Sequence, residues 1–208
     1  MLSPLPPPPK PDNGCVKNAR PDITIGFLHA VVAKKLASLG VNKLDAEEIL
    51  EDLQYEEELL SSPTLPALHI HFPSMVVEGE SYATRKSMYK AENQAAGSGS
   101  CMLVMQSRLG ELTERRSPGI HKSKEPLAFS ITQEGPVLLL WLHYITSLEN
   151  ALFYNMHVLR ICHATIPSTT REFCIALAGV MGWASTEFLD DMAAQLVLLW
   201  KAAQKRTA

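Results

Sequence analysis

Three apolar runs, Leu127–Thr132, Val137–Thr146 and Phe153–His163, are separated only by the short turns Gln133-Glu134-Gly135-Pro136 and Ser147-Leu148-Glu149-Asn150. Runs rich in β-branched and aromatic residues, with Gly, Pro and Asn at the joints, form strands. Turns this short bring neighbouring strands together antiparallel. An antiparallel meander is therefore predicted, and it limits what the rest of the chain can do, because its apolar faces must be covered by other elements.

Suitable covers stand on both sides. Upstream, an apolar stripe of Met88, Ala91, Ala95, Met102, Met105, Leu109 and Leu112 predicts one long helix from a cap at Thr84 to about Arg116. Gly97-Ser98-Gly99-Ser100 weakens helix propensity but adds no bulk, so the helix is expected to lie very close to a sheet; two helices split by a loop are the alternative. Downstream, Thr169 and Glu172 suggest a capping box for a helical region reaching about Lys201, with a break near Gly182 and a restart at Ser185.

The N-terminal part reads strand, helix, helix, strand. Pro21–Gly26 is a short strand opening with Asp22. Leu28, Val31, Val32 and Leu36 mark a helix over Phe27–Leu39, closed by Gly40. Asp45 is read as the cap of a second helix with Ile49, Leu50, Leu53 and Leu60 on one side. Leu68–Phe72 alternates like a strand and puts His69 and His71 on one face, read as a polar strand face rather than half of a zinc site, since no third ligand is nearby. The strand Val76–Glu80 follows. The expected architecture is α+β, a mixed central sheet flanked by helices in a domain over residues 21–208.

Residues 1–20 carry six of the 14 prolines and are expected to be a disordered, extended tail. The net charge of −3 argues neither for nor against nucleic acid. Asp45–Glu58 holds 8 of the 22 acids and no base, which leaves 19 bases against 14 acids elsewhere. That acidic helix is a solvated face or a surface for a basic partner. Four widely spaced cysteines read as reduced thiols, no charged-then-apolar leader opens the chain, and the longest apolar run ends at His143. These features predict an intracellular protein, cytoplasmic or nuclear, with no membrane span.

The chemistry concentrates on Val76–Glu80. Strand side chains alternate, so Glu78 and Glu80 share a face, and two like charges there repel unless something positive sits between them. With Asp22 they offer hard oxygen ligands of the kind that hold Mg²⁺ or Mn²⁺. Lys86, Lys90 and Gln94 recur every four residues and share one helix face, from which a lysine can reach the acids. His143, His157 and His163 sit among apolar neighbours and read as structural, hydrogen-bonded histidines; Trp141, Trp183 and Trp200 read as core or interface anchors.

Pro21-Asp22, the strand Val76-Val77-Glu78-Gly79-Glu80-Ser81-Tyr82 and the helix segment Glu92-Asn93-Gln94-Ala95-Ala96 together resemble the PD-(D/E)XK nuclease superfamily, and more narrowly a nuclease-like group abundant in fungi. The resemblance implies a restriction-endonuclease-like three-layer α/β/α core. It also implies Asp22 and Glu78 as metal ligands, Gln94 as the helix glutamine, and Mg²⁺-dependent hydrolysis of nucleic acid. The sequence departs from that pattern at position 80, where Glu80 stands in place of the motif lysine, and in a helical insertion of about fifty residues between the Asp22 and Glu78 strands. Two arrangements would preserve activity: Glu80 as a further metal ligand, or the lysine role moved to Lys86 or Lys90. The alternative is a catalytically inactive nuclease-fold module that binds a protein partner.

Overall fold

The computed structural model describes residues 21–55, 59, 70–80, 88–121, 123–149 and 151–207. Strand β1 (Ile23–Leu28) is followed by helices α1 (His29–Ser38) and α2 (Lys43–Tyr55), then by β2 (Ile70–Glu80) and the 29-residue helix α3 (Met88–Arg116). The predicted meander is present as β3 (Leu127–Glu134), β4 (Val137–Leu148) and β5 (Ala151–His163), and α4 (Pro167–Trp183) and α5 (Leu189–Thr207) close the order. The five strands form one sheet in the order β1-β2-β3-β4-β5. Only β2 and β3 run parallel; the remaining pairs are antiparallel. The sheet is mixed and flanked by helices, an α+β fold.

The parallel step follows from α3. A helix that long, placed between two neighbouring strands, carries the chain back along the sheet so that the second strand starts at the same end as the first. Side chains then sort by parity. Met75 on β2, Phe129 and Ile131 on β3 and Leu140 on β4 pack with Phe173 and Val180 of α4. Their sequence neighbours face the other way, where Val76 and Ala128 meet Met102 and Leu103 of α3. A second core forms beyond the sheet, where Val32 and Leu36 of α1, Leu50 and Leu53 of α2, Leu109 and Leu112 of α3, and Leu196 of α5 surround Phe72.

Several local expectations are refined. The helix α3 runs without a break through Gly97–Ser100, and those residues do permit close approach: a Cβ on Gly99 would fall on the His143 ring, inside the 3.0 Å that real Cβ atoms keep. The strands expected at Leu68–Phe72 and Val76–Glu80 are one strand, irregular between Phe72 and Ser74, where three residues oppose Gly26 alone and Phe72 takes φ 45°. That left-handed turn of backbone, unusual for a bulky residue, aims Phe72 into the helical core.

Val31 and Leu28 are exposed at 42% and 57%, and Ala33 is buried beside Val32 and Leu36 instead. Asn42, not Asp45, caps α2: its side-chain oxygen accepts the Asp45 amide at 3.0 Å, which frees the Asp45 carboxylate to accept from Trp200 Nε1 and Gln204 Nε2. The helix α4 begins at Pro167, so Thr169 lies inside its first turn and accepts the His163 amide at 3.2 Å rather than forming a capping box with Glu172. The break expected near Gly182 is a single π-helical turn, Ala184–Phe188, that joins α4 to α5 without a loop and stacks Trp183 on Phe188 at 5.1 Å. The proline-rich stretch, Leu60, His69 and Thr84 lie outside the described residues. No helix among the described residues is long and apolar enough to cross a membrane.

Candidate functional site

The register of β1 on β2 places Ile23 opposite Val77, which brings Asp22 alongside Glu78 at the end of β1. The Gly79 amide donates to Asp22 Oδ2 at 2.7 Å. Because β2 alternates, Glu78 and Glu80 both face α3, as expected from their spacing. The Ser98 hydroxyl of α3 donates to Glu78 Oε1 at 3.1 Å, and Lys90 Nζ lies 3.0 Å from Glu80 Oε1. Lys90, Gln94 and Ser98 stand four apart on α3, so one helical row serves both acids of the strand, Lys90 at Glu80 and Ser98 at Glu78. Gln94 lies exposed between them with no hydrogen bond to either acid. Lys86 lies outside the described residues.

Glu78 is 1% exposed, and its Oε2 has no hydrogen-bond partner, the only such buried side-chain atom among the described residues. An ionised, half-satisfied carboxylate in that position is costly. Burial pushes the Glu78 carboxyl above its ordinary value, the Ser98 hydroxyl and the nearby Asp22 amide work against that, and the charges of Asp22 and Glu80 add to the rise. Between pH 4.5, the ordinary value, and the raised one, the folded protein therefore keeps a proton that the unfolded chain has released. The stability tied to this group is complete below pH 4.5 and is lost as pH rises through the folded value. Replacing Glu78 with Gln removes that loss. Thermal melts of Glu78→Gln should match wild type near pH 4 and exceed it at pH 7 by a few degrees, since 1 kcal/mol moves the midpoint roughly 2–4 °C in a domain of this size. A lower midpoint at pH 7 would contradict the assigned strain.

Glu80 pairs in register with Glu134, whose carboxylate turns instead to the N-terminus of α3 and accepts the Met88 amide at 3.1 Å. Glu80 is turned toward Lys90, and among the described residues no three His, Cys, Asp or Glu side chains gather into a metal-holding group. What remains is a pair of acids, Asp22 and Glu78, with an orphaned oxygen. That donor set fits a Mg²⁺-type ion, which is commonly held by one or two carboxylates with waters completing the shell. A cation at Glu78 Oε2 would supply the charge the buried carboxylate lacks.

Beside the apolar contacts of Val76 and Ala128, the layer between α3 and the sheet holds further polar groups that are paired. Ser130 Oγ and His143 Nε2 lie 2.8 Å apart, and Trp141 Nε1 donates to Thr132 Oγ1 at 2.9 Å. Thr132 is the register partner of Glu78. His143 is thus structural, as its apolar neighbours suggested, and burial lowers its pKa to about 4. His71 is buried and sits 3.1 Å from His29. Ser98 and Glu134 escaped sequence reasoning, although Ser98 simply continues the Lys86, Lys90, Gln94 row by one more step of four.

A cleft of about 510 Å³ opens elsewhere, over Phe72, Trp183, Phe188 and Met192. Much of its polar wall is paired internally: Asp191 accepts from Gln195 and contacts His121, and Gln195 accepts from Ser123. Among the described residues the buried polar side-chain atom left unpaired is Glu78 Oε2, outside this cleft.

A family model for a domain of unknown function, DUF7924, matches residues 9–172. The chain belongs to that family. No curated protein and no solved structure matches it. The DUF7924 match contains Asp22, Glu78, Glu80, Lys90, Gln94 and Ser98 and ends early in α4, so α5 lies outside it.

Proposed function

We propose that Asp22 and Glu78 form the divalent-cation site of a PD-(D/E)XK nuclease-like domain that hydrolyses phosphodiester bonds of nucleic acid. The observation that carries this reading is Glu78 Oε2, a buried carboxylate oxygen without a partner, beside a second carboxylate. Asp22 and Glu78 would hold Mg²⁺ or Mn²⁺, which when bound polarises a phosphate oxygen and makes a water more acidic. Lys90 takes the place of the motif lysine. Its half-exposed ammonium, paired with Glu80, is close enough to the acids to meet a phosphate and offset negative charge developing there. Gln94, exposed on the same row, orients water or contacts the phosphate. In this reading Glu80 holds Lys90 in position and contributes charge to the site.

A second reading rests on the same pair seen differently. Glu80 neutralises Lys90, and burial favours a protonated Glu78, which leaves neither a free cation nor a ready carboxylate. The domain is then an inactive relative that binds a protein, through the proline-rich stretch or the acidic α2.

Cleavage of DNA and RNA in Mg²⁺ or Mn²⁺ separates the two. The nuclease reading predicts cleavage by wild type that falls about 10²-fold or more in Glu78→Gln, as for loss of one electrostatic contributor. If wild type and Glu80→Lys, which restores the motif lysine, are both inert, the interaction module is the better account.

A further inference from the structure

We infer that the β4–β5 hairpin is a self-association arm that pairs with the same arm of a second copy of this chain, strand β5 against strand β5. The inference is independent of the cation site. Strand β3 stops pairing at Tyr144, where it meets Leu127, whereas β4 and β5 remain paired out to Leu148 and Ala151. Beyond Ile145, which still packs against Met102 and Leu103 of α3, Thr146–Leu148 and Ala151–Phe153 therefore overhang the sheet as a two-stranded ribbon. Such a ribbon is marginal in water unless something packs against it.

Both faces of the overhang carry exposed apolar side chains beside Thr146 and Ser147. Leu148, Leu152, Phe153 and Tyr154 are 63%, 60%, 48% and 45% exposed. Their cross-strand partners show the two sides: Phe153 opposite Thr146 and Tyr154 opposite Ile145 alternate between faces. Strand β5 is also the edge of the sheet. From Ala151 to Leu159 it contains no Lys, Arg, Asp, Glu or Pro. The usual edge protections begin only at the irregularity facing Leu140 and Trp141, next to Arg160. Among the described residues no strand pairs with the outer edge of Ala151–Val158, which carries the exposed side chains.

A second copy fits this edge because the segment complements itself. With antiparallel strands related by a two-fold axis at Phe153, Phe153 meets Phe153 of the second copy and Leu152 meets Tyr154. Each pair shares a face, because the positions add to an even number and strand parity is kept. Aromatic–aromatic and aromatic–aliphatic cross-strand pairs are favourable, and no charged side chains oppose one another.

Sedimentation of the full chain, up to about 100 μM where a micromolar interface is populated, should show mass rising twofold with concentration. Phe153→Lys and Leu152→Lys should each remain at the monomer mass with unchanged far-ultraviolet circular dichroism, since both side chains are already half-exposed or more. In a background of Cys15→Ser and Cys174→Ser, which leaves only the buried Cys101 and Cys162, Phe153→Cys should form a disulfide-linked dimer under mild oxidation. Opposed strand residues lie about 4.5–5.5 Å apart, within disulfide reach. Leu148→Cys, on the same arm but outside the pairing, should not. A monomer at every concentration would overturn the inference. So would a dimer unaffected by Phe153→Lys, or one that the Phe153→Cys variant fails to cross-link.

Discussion

Gly99→Ala is expected to destabilise the fold by about 2 kcal/mol, although alanine is the better helix former by nearly 1 kcal/mol. The added Cβ would strike Cγ, Nδ1 and Cε1 of His143. The ring has nowhere to go: His143 is 2% exposed, and its Nε2 is held by Ser130, itself fully buried. Helix α3 must then lift from the sheet or the Ser130–His143 hydrogen bond must break, and either exceeds the gain in propensity. Denaturant melts of Gly99→Ala check the sign. A variant more stable than wild type would mean that α3 does not lie where the close approach puts it. Shrinking the obstacle should couple to the first change, so His143→Ser with Gly99→Ala should cost less than the sum of the single variants.

His143 also predicts the second large effect. Its pKa falls from 6.5 to about 4 because the folded protein buries a ring that cannot be charged there without cost. Between these values the unfolded chain binds a proton that the folded state refuses, so stability declines as pH falls through that window. At about 1.4 kcal/mol per pH unit, the loss by pH 4 is roughly 3 kcal/mol. Glu78 acts with the opposite sign, since its raised carboxyl favours folding as pH drops toward its ordinary value of 4.5. Wild type therefore shows the partial cancellation of the two. His143→Gln, which keeps a hydrogen-bonding partner for Ser130, should lose the histidine part and hold its stability between pH 6.5 and 4 better than wild type. An unchanged slope would place the titrating group elsewhere.

Periodicity located the elements because most faces in this fold are sorted by burial. The meander, the long helix and the acids of β2 all follow from alternation or helical spacing, and the structure places Glu78 and Glu80 on one face as that spacing requires. Side chains whose partners are distant in sequence were harder to read. Asp45 looks like a cap because of its type and place, yet Trp200 and Gln204, over 150 residues away, take its carboxylate while Asn42 does the capping. Phe72 carries no local mark of its left-handed backbone, which is imposed by the helical core that receives its ring. The π-turn at Ala184–Phe188 resembles a break in sequence because Gly182 and Ser185 are weak helix formers, but Trp183, Phe129 and Phe188 pack across it and hold the helix continuous.

At the site, the acids and Lys90 were legible and their division of labour was not. Spacing brought Lys90 to the strand, where it meets Glu80; Ser98, read only as a small residue, is what reaches Glu78. That Glu78 Oε2 is left without a partner is a tertiary fact, set by how closely α3 and the end of β1 enclose one carboxylate.

Calorimetric titration of the full chain with Mn²⁺ tests the cation site directly. The orphaned Glu78 oxygen predicts a binding event in wild type at neutral pH, accompanied by a rise in melting temperature with Mn²⁺ concentration. Both should be abolished in Glu78→Gln, which keeps the shape and the Ser98 hydrogen bond but not the charge. No heat and no thermal shift in wild type, or equal binding by Glu78→Gln, would contradict the assignment of Asp22 and Glu78 as a cation site.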